Sequence, residues 1–475
     1  MKTEERSDSS RPADEPAAPA GRGGRRLDLV AAGAGALLVA VACGVGWAWQ
    51  SANGALQAHW PPLLASWDPH VGPGTPAALA VAAAVVAYGP ALADRLPWRR
   101  LLLTAWATAL AWILSLALIE GWYRGVARRL TTKHEYLRVI DRFEDIPAAL
   151  RGFTDHIVVG PPGNWPAHVA GHPPGATLTF VGLDRIGLGG GAWAGVWCIV
   201  LGASGVAAVL IAVRALAGEH LARRAAPFLA LAPFAVWTGT SADGYFAGVA
   251  AWSIALLALA ATTARTRPTP LATLAALASG LLFGWTCYLS YGLTLIAAPL
   301  GAVLLLTRTV RPVLPFLTGA LVAPLAFTLT GFHWWEAYPQ LVERYYQGAG
   351  GVRPYAYWVW GNLAAATFAV GLAAVAGLRR ALAATPDAAL HALRPGRPAP
   401  TGEAALALLT LAGLLALLAA DLSGMSKAET ERIWQPFFLW LLPAAGLLPL
   451  RDHRAWLGAQ ALGALLVNHL LWTGW

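Results

Sequence analysis

From Leu101 the chain reads LLLTAWATALAWILSLALI to Ile119, turns polar at EGWYRG (Glu120–Gly125) and stays polar until HVAGHPPG (His168–Gly175). An apolar run of about 19 residues is long enough to cross a bilayer core of about 30 Å. The island behind it holds charges, histidines and prolines that lipid excludes. Together they predict an all-α, polytopic membrane protein with a long polar loop after an early span.

Composition agrees along the whole length. Hydrophobic residues make up 57% of the 475 and charged residues 12%, and apolar runs of about 20 recur. The formal net charge is +9, but Lys and Arg sit in short clusters between spans rather than on one basic face. They report orientation and do not predict a nucleic-acid partner. Cys43, Cys198 and Cys287 lie in or at the end of apolar runs, without the spacing of a zinc site or a disulfide framework. Residues 1–26 are too polar to bury surface and lack the short apolar core of a signal peptide, so they are expected to form a disordered cytoplasmic tail.

The basic clusters set the topology. Arg22, Arg25 and Arg26 place the N-terminus inside, before a first span at Leu27–Trp49. Further spans are expected at Pro76–Ala93, Leu101–Ile119, Gly190–Val213, Ala226–Thr238, Tyr245–Thr262, Leu271–Tyr288 and Gly292–Leu306. Val313–Thr330, Tyr357–Leu378, Ala404–Ala420, Trp434–Leu450 and Trp456–Trp472 complete a set of about 13. Arg95, Arg99, Arg100, Arg214, Arg223, Arg224, Arg265, Arg267, Arg308, Arg311, Arg379, Arg380, Arg394 and Arg397 then all fall inside. Ala176–Leu188, too short to span and carrying Asp184 and Arg185, is expected to lie flat at the outer interface as an amphipathic helix. On this reading residues 27–100 are two additional N-terminal helices and 101–475 a core with outer loops at 120–189, 239–244, 331–356 and 421–433.

Carboxylates, histidines and aromatics collect on those outer loops. In TTKHEYL (Thr131–Leu137), Glu135 stands near the membrane surface, where a carboxylate can take a proton from an acceptor hydroxyl; the alternative is one charge among several on a solvated helix, Asp141 included. His168-x3-His172 has the spacing of a helical metal pair, but Pro173 disfavours helix at His172. A turn fixing His172 toward a cavity fits better, and a plain structural corner is the alternative. Gly187, Gly189, Gly190 and Gly191 follow no strand and precede no Lys-Ser/Thr, so they read as a flexible joint rather than a phosphate loop.

The loop from His333 to Trp360 is rich in aromatics, as an interfacial belt would be; aromatic faces that stack on a sugar ring are the alternative, and Arg344 and Arg353 add phosphate-seeking cations on the outer side. Asp421–Phe437 carries Lys427, Glu429, Glu431 and Arg432 at the mouth of a span. Cations there can hold an anionic lipid head group, and the Arg432 fork suits a phosphate; a charged helix cap is the alternative.

Taken together, His134-Glu135-Tyr136, His172-Pro173-Pro174-Gly175, Asp243 in SADGY and the Glu429–Phe437 run resemble the GT-C superfamily of membrane glycosyltransferases, from about Leu101 to the C-terminus. That superfamily includes protein mannosyltransferases, the aminoarabinose lipid A transferase and mycobacterial mannosyl- and arabinosyltransferases. His134 stands where that superfamily commonly has an Asp. The resemblance implies transfer of a hexosyl or pentosyl group from a polyprenyl-phosphate donor to a cell-envelope glycan, glycolipid or protein acceptor outside the plasma membrane. It implies Glu135, His172 and Asp243 as catalytic residues. Asp141, His168, Tyr291, Arg353, Lys427, Glu431 and Arg432 are then the substrate-binding set. No metal ligands or cofactor are assigned, although a divalent cation is compatible with the chemistry. The other readings are a polytopic transporter or lipid flippase, for which the repeated halves and mid-span charges are missing, or a protein that keeps the fold without the catalysis.

Overall fold

The computed structural model describes residues 22–160, 162–266, 269–394 and 399–473. The expected tail lies outside them up to residue 21, as do Arg267 and Arg397. In chain order the main helices are α1 (Arg22–Asn53), α2 (Thr75–Arg95), α3 (Trp98–Ala117), α4 (Gly175–Arg185), α5 (Gly191–Ala217), α6 (Glu219–Ala230), α7 (Ala242–Thr266) and α8 (Pro270–Leu289). They continue as α9 (Ala297–Thr307), α10 (Val313–Ala320), α11 (Val322–Leu329), α12 (Trp334–Gln347), α13 (Tyr355–Leu393), α14 (Gly402–Leu422), α15 (Gln435–Leu441) and α16 (His453–Leu470). Short helical turns fill the loops, and a two-stranded antiparallel pair joins β1 (Ser66–Trp67) to β2 (Leu471–Trp472).

Eight of these helices are long and apolar enough to cross a membrane: α1, α2, α3, α5, α7, α8, α13 and α14. The bent pair Val313–Leu329 and Trp334–Gln347, which turns through 78°, makes nine if it counts as one span. The other expected spans are interrupted or polar, and proline explains most of the breaks. Ala226–Thr238 is the end of α6, a break around Pro233 and a single turn at Ala235–Thr238. Trp434–Leu450 is α15 followed by a 3-10 stretch at Leu442–Leu447 that contains Pro443. Gly292–Leu306 opens as a 3-10 turn before α9. α16 is continuous but carries Arg454, Gln460, Asn468 and His469.

Broken backbone at membrane depth is tolerated only where protein satisfies it. The break after α6 is fully buried. Trp112 Nε1 donates to the Ala232 carbonyl at 3.1 Å, and Gln460 Nε2 donates to the Phe228 and Leu231 carbonyls at 2.8 Å each. Gly371 lies inside α13 at φ 80, a left-handed conformation that only glycine adopts without strain, and kinks that helix beside Pro233. α8 approaches α10 so closely that a Cβ on Gly280 would stand 1.9 Å from the Phe316 carbonyl, as small residues permit between membrane helices.

The N-terminal pair is bound into the rest. α1 packs along α13, where buried Asp28 pairs with Arg380 at 2.7 Å and with Arg379. The loop after α1 places Leu56 and Ala58 against Tyr357, Trp358 and Ala428, and β1 pairs with the C-terminal β2. α4 covers 175–185 of the expected interfacial stretch, burying Ala176, Phe180 and Leu183 while Asp184 and Arg185 stay exposed.

Candidate active site

Two segments of the first loop are strapped together by the His168 amide, which donates to the His134 carbonyl at 3.0 Å. Pro166 starts the turn Ala167–Ala170, and Pro173-Pro174 start α4, so His168 and His172 are fixed between two helix origins. Glu135, in extended backbone, leads a 3-10 helix at Tyr136–Phe143. His168 Nδ1 then lies 2.9 Å from Glu135 Oε1, and Tyr136 Oη lies 3.1 Å from His172 Nδ1.

His172 Nδ1 is also 2.7 Å from the His168 carbonyl. A carbonyl only accepts, so Nδ1 carries the proton and Nε2 is left as an acceptor. Burial lowers the pKa of His172 to about 4, so the ring is neutral near pH 7. Glu135 is 5% exposed and its Oε2 is buried without a hydrogen-bond partner.

The second half of the site comes from the start of α7 and the loop after α14. Ser241 Oγ donates to Asp243 Oδ2 at 2.8 Å and accepts the Asp243 amide at 3.1 Å. Arg432 pairs with Asp243 and, at 3.1 Å, with Glu429, which also meets Arg353 at 3.2 Å. Arg353 donates to the Lys427 carbonyl at 2.8 Å, and Lys427 Nζ to the Gly350 carbonyl at 2.8 Å.

Asn362 shapes this loop: its amide donates to Asp421 at 2.9 Å and to the Ser426 carbonyl at 2.6 Å, and its oxygen accepts the Ala428 amide at 3.3 Å. Burial by itself lowers the pKa of Arg432, but Asp243, Glu429 and Glu135 outweigh it and the guanidinium is held more firmly charged than usual. Burial by itself raises Glu429, and Arg432 with Arg353 pulls it below its ordinary value. The network is thus charged on both sides.

A cavity of about 440 Å³ opens between these halves, walled by His172, Tyr291, Trp334, Arg353, Lys427 and Arg432 among others. A hollow of about 20 Å³ adjoins it, lined by Glu135, Tyr136, Arg129 and Thr240; His168 and Arg432 line both. A larger hollow of about 710 Å³ between α2 and α3 is lined almost wholly by apolar side chains such as Val81, Leu92 and Ala226. Its charged lining residue is Arg95 alone, and no carboxylate or histidine lines it to take a proton. The 440 Å³ cavity, with convergent polar groups on an aromatic wall, has the makeup of a ligand site.

Glu135, His168, His172, Asp243, Tyr291, Arg353, Lys427 and Arg432 therefore converge. Asp141 and Glu431 do not. Asp141 is exposed on the 3-10 helix. Glu431, adjacent to Arg432 on a single helical turn, faces the other way, and its Oε1 accepts the Leu64 amide at 3.3 Å. The two-pronged grip on phosphate expected of Arg432 is also pre-empted, because its fork already holds Asp243 and Glu429.

Glu429 is a site residue to which the sequence pattern gave no role; its i,i+3 spacing to Arg432 is the signal that was there to read. Asn362, a lone amide inside a span, is another. Among the described residues no three His, Cys, Asp or Glu side chains gather to hold a metal ion.

No protein-family model and no curated protein matches the chain. Among solved structures, the crystal structure of the Archaeoglobus fulgidus oligosaccharyltransferase, in complex with Zn and sulfate, matches with a TM-score of 0.44 and 14% identity over 77% of this chain and 51% of that one. The chain spans about half the length of that structure. Likeness at this level decides neither fold nor activity.

Proposed function

We propose that the chain is a membrane glycosyltransferase moving a sugar from a polyprenyl-phosphate donor to an acceptor hydroxyl outside the membrane. The observation that carries this reading is the unpartnered, buried Oε2 of Glu135 in a hollow shared with Arg432 and His168 and adjoining a cavity walled by Arg353 and Lys427. A base and a phosphate anchor are the two parts that sugar transfer from a lipid phosphate requires.

His168 holds Oε1 of Glu135 and leaves Oε2 to accept the acceptor's proton. The freed acceptor oxygen attacks the anomeric carbon. The bond from that carbon to the phosphate oxygen breaks, its electron pair leaves with the phosphate, and the sugar inverts. The phosphate is held by Lys427 Nζ and by Arg353 Nε–H, which is buried without a partner. Arg432, clamped by Asp243 and Glu429, stands between base and phosphate as a fixed cation whose charge those two carboxylates offset.

Membranes enriched in the chain, assayed against a panel of radiolabelled polyprenyl-phosphate sugars, should transfer label from at least one donor, and Glu135→Gln should abolish most of it. Label that never leaves the lipid, combined with movement of donor across the bilayer, would replace the transferase by a flippase.

A further inference from the structure

α12 lines the cavity with Trp334, Tyr338, Leu341 and Tyr345, the i, i+4, i+7, i+11 stripe of one helical face. Trp334 and Tyr338 are nearly parallel, at 5° with centroids 5.4 Å apart, and Tyr291 packs on them at 5.1 and 5.7 Å. Trp334 is pinned by its Nε1–H to the Cys287 carbonyl at 3.2 Å. An interfacial belt alone would turn these rings to lipid, whereas here they wall a cavity.

One group in the wall asks for a polar ligand. Tyr291 is 4% exposed, and its hydroxyl is buried with no hydrogen-bond partner while the residue lines the cavity. An isoprenoid chain would cover the rings but leave that hydroxyl unpaired, a lasting loss. A sugar ring offers both what the rings take, a face of polarised C–H groups against the negative aromatic face, and what the hydroxyl lacks.

The wall also lies far from the phosphate anchor. Trp334 is eleven residues before Tyr345 in α12, whose hydroxyl accepts the Lys427 amide at 3.0 Å. At about 1.5 Å per residue the rise along the helix axis to Tyr345 is roughly 16 Å from Trp334 and roughly 10 Å from Tyr338. The donor's own sugar is one bond from its phosphate and does not reach so far.

Building on the transferase reading, we infer that Trp334, Tyr338 and Tyr291 form an acceptor subsite for a saccharide, with one ring on the aromatic pair and one hydroxyl bonded to Tyr291. The acceptor is then a glycan rather than a peptide.

The test is saturation-transfer NMR on the detergent-solubilised full chain with a panel of lipid-free methyl glycosides and short oligosaccharides, alongside direct binding of undecaprenyl phosphate. The wild type should bind at least one saccharide. Tyr291→Phe, a one-atom change that keeps the packing, should weaken it roughly tenfold, as loss of one hydrogen bond does. Trp334→Ala should weaken it at least as much and Trp334→Phe should recover part, with undecaprenyl phosphate binding unchanged throughout. A wild type that binds no saccharide, or a Tyr291→Phe variant that binds as the wild type does, overturns the inference. Transfer to a peptide without saccharide binding would end this inference and leave the transferase standing; saccharide binding without transfer from any donor would do the reverse.

Discussion

His168 Nδ1 sits 2.9 Å from Glu135 Oε1, while Glu135 Oε2 is buried with no partner. One oxygen is oriented and the other is left open, which is how a carboxylate is prepared to take a proton rather than merely to bridge a fold. Glu135→Gln preserves the shape and the His168 contact but removes the base, so transfer should fall by about 10²-fold or more. Radiolabel transfer per unit of folded protein measures it, and undiminished turnover would move the base to Asp243.

The His172 ring is neutral near pH 7, because burial lowers its pKa to about 4. Between about pH 5 and pH 8 it changes no charge, and its role is to hold Tyr136 and offer Nε2. His172→Gln should therefore lower the rate while leaving the shape of the rate–pH curve over that range as it was. Disappearance of a limb of the wild-type curve in that variant would show that His172 titrates during turnover.

Much of this site was legible because a chain so apolar has few places for charge. The first loop, the His-Pro-Pro turn and Arg432 stand out for that reason alone. What pairs with them does not: Arg432 and Asp243 are 189 residues apart, and only the packing of α7 against the loop after α14 brings them together. Trp334 and Tyr338 share a helical face equally suited to lipid or to a cavity, so the choice between belt and wall needed the fold. The breaks after α6 and α15 were hidden because their composition is as apolar as that of a true span, and proline acts through geometry.

Glu431 predicts a pH-dependent stability. Burial pushes its pKa up from 4.5 to about 7, with Oε1 on the Leu64 amide and Oε2 unpartnered. The folded value lies above the unfolded one, so the native state keeps a proton that the unfolded chain releases. The stabilisation is complete below 4.5 and is lost as pH rises through about 7, about 3 kcal/mol in all. Glu431→Gln keeps the Leu64 contact without the titration. Its unfolding temperature in detergent should gain on the wild type from about pH 5 to about pH 8, and parallel curves would show that Glu431 stays ionised.

Orientation is testable at side chains that the structure leaves accessible. In a background lacking Cys43, Cys198 and Cys287, cysteines at exposed Glu144 and at Trp335, 59% exposed, should react with an impermeant thiol reagent on intact cells. Cysteines at Val310 and Leu393, 83% and 71% exposed, should react only after permeabilisation. Labelling of the Val310 or Leu393 cysteine on intact cells would invert the topology and with it the side on which transfer takes place.

The last prediction concerns the buried ion pair that joins the two halves of the site. Arg432 is 6% exposed and Asp243 4%, and Arg432 also holds Glu429. Arg432→Ala leaves both carboxylates without their counter-charge and should cost about 3–5 kcal/mol of stability. Arg432→Lys should do better, yet a point charge cannot serve two carboxylates as a fork does. If the loss comes from the stranded charge rather than from missing bulk, adding Asp243→Asn to Arg432→Ala should restore part of the stability, with a coupling of about 1–3 kcal/mol between the two sites. Equilibrium unfolding of the wild type, both single variants and the double variant closes the cycle. Strictly additive losses would mean that Arg432 and Asp243 act independently and that the loop after α14 is held by its other contacts, those of Asn362, Arg353 and Lys427 among them.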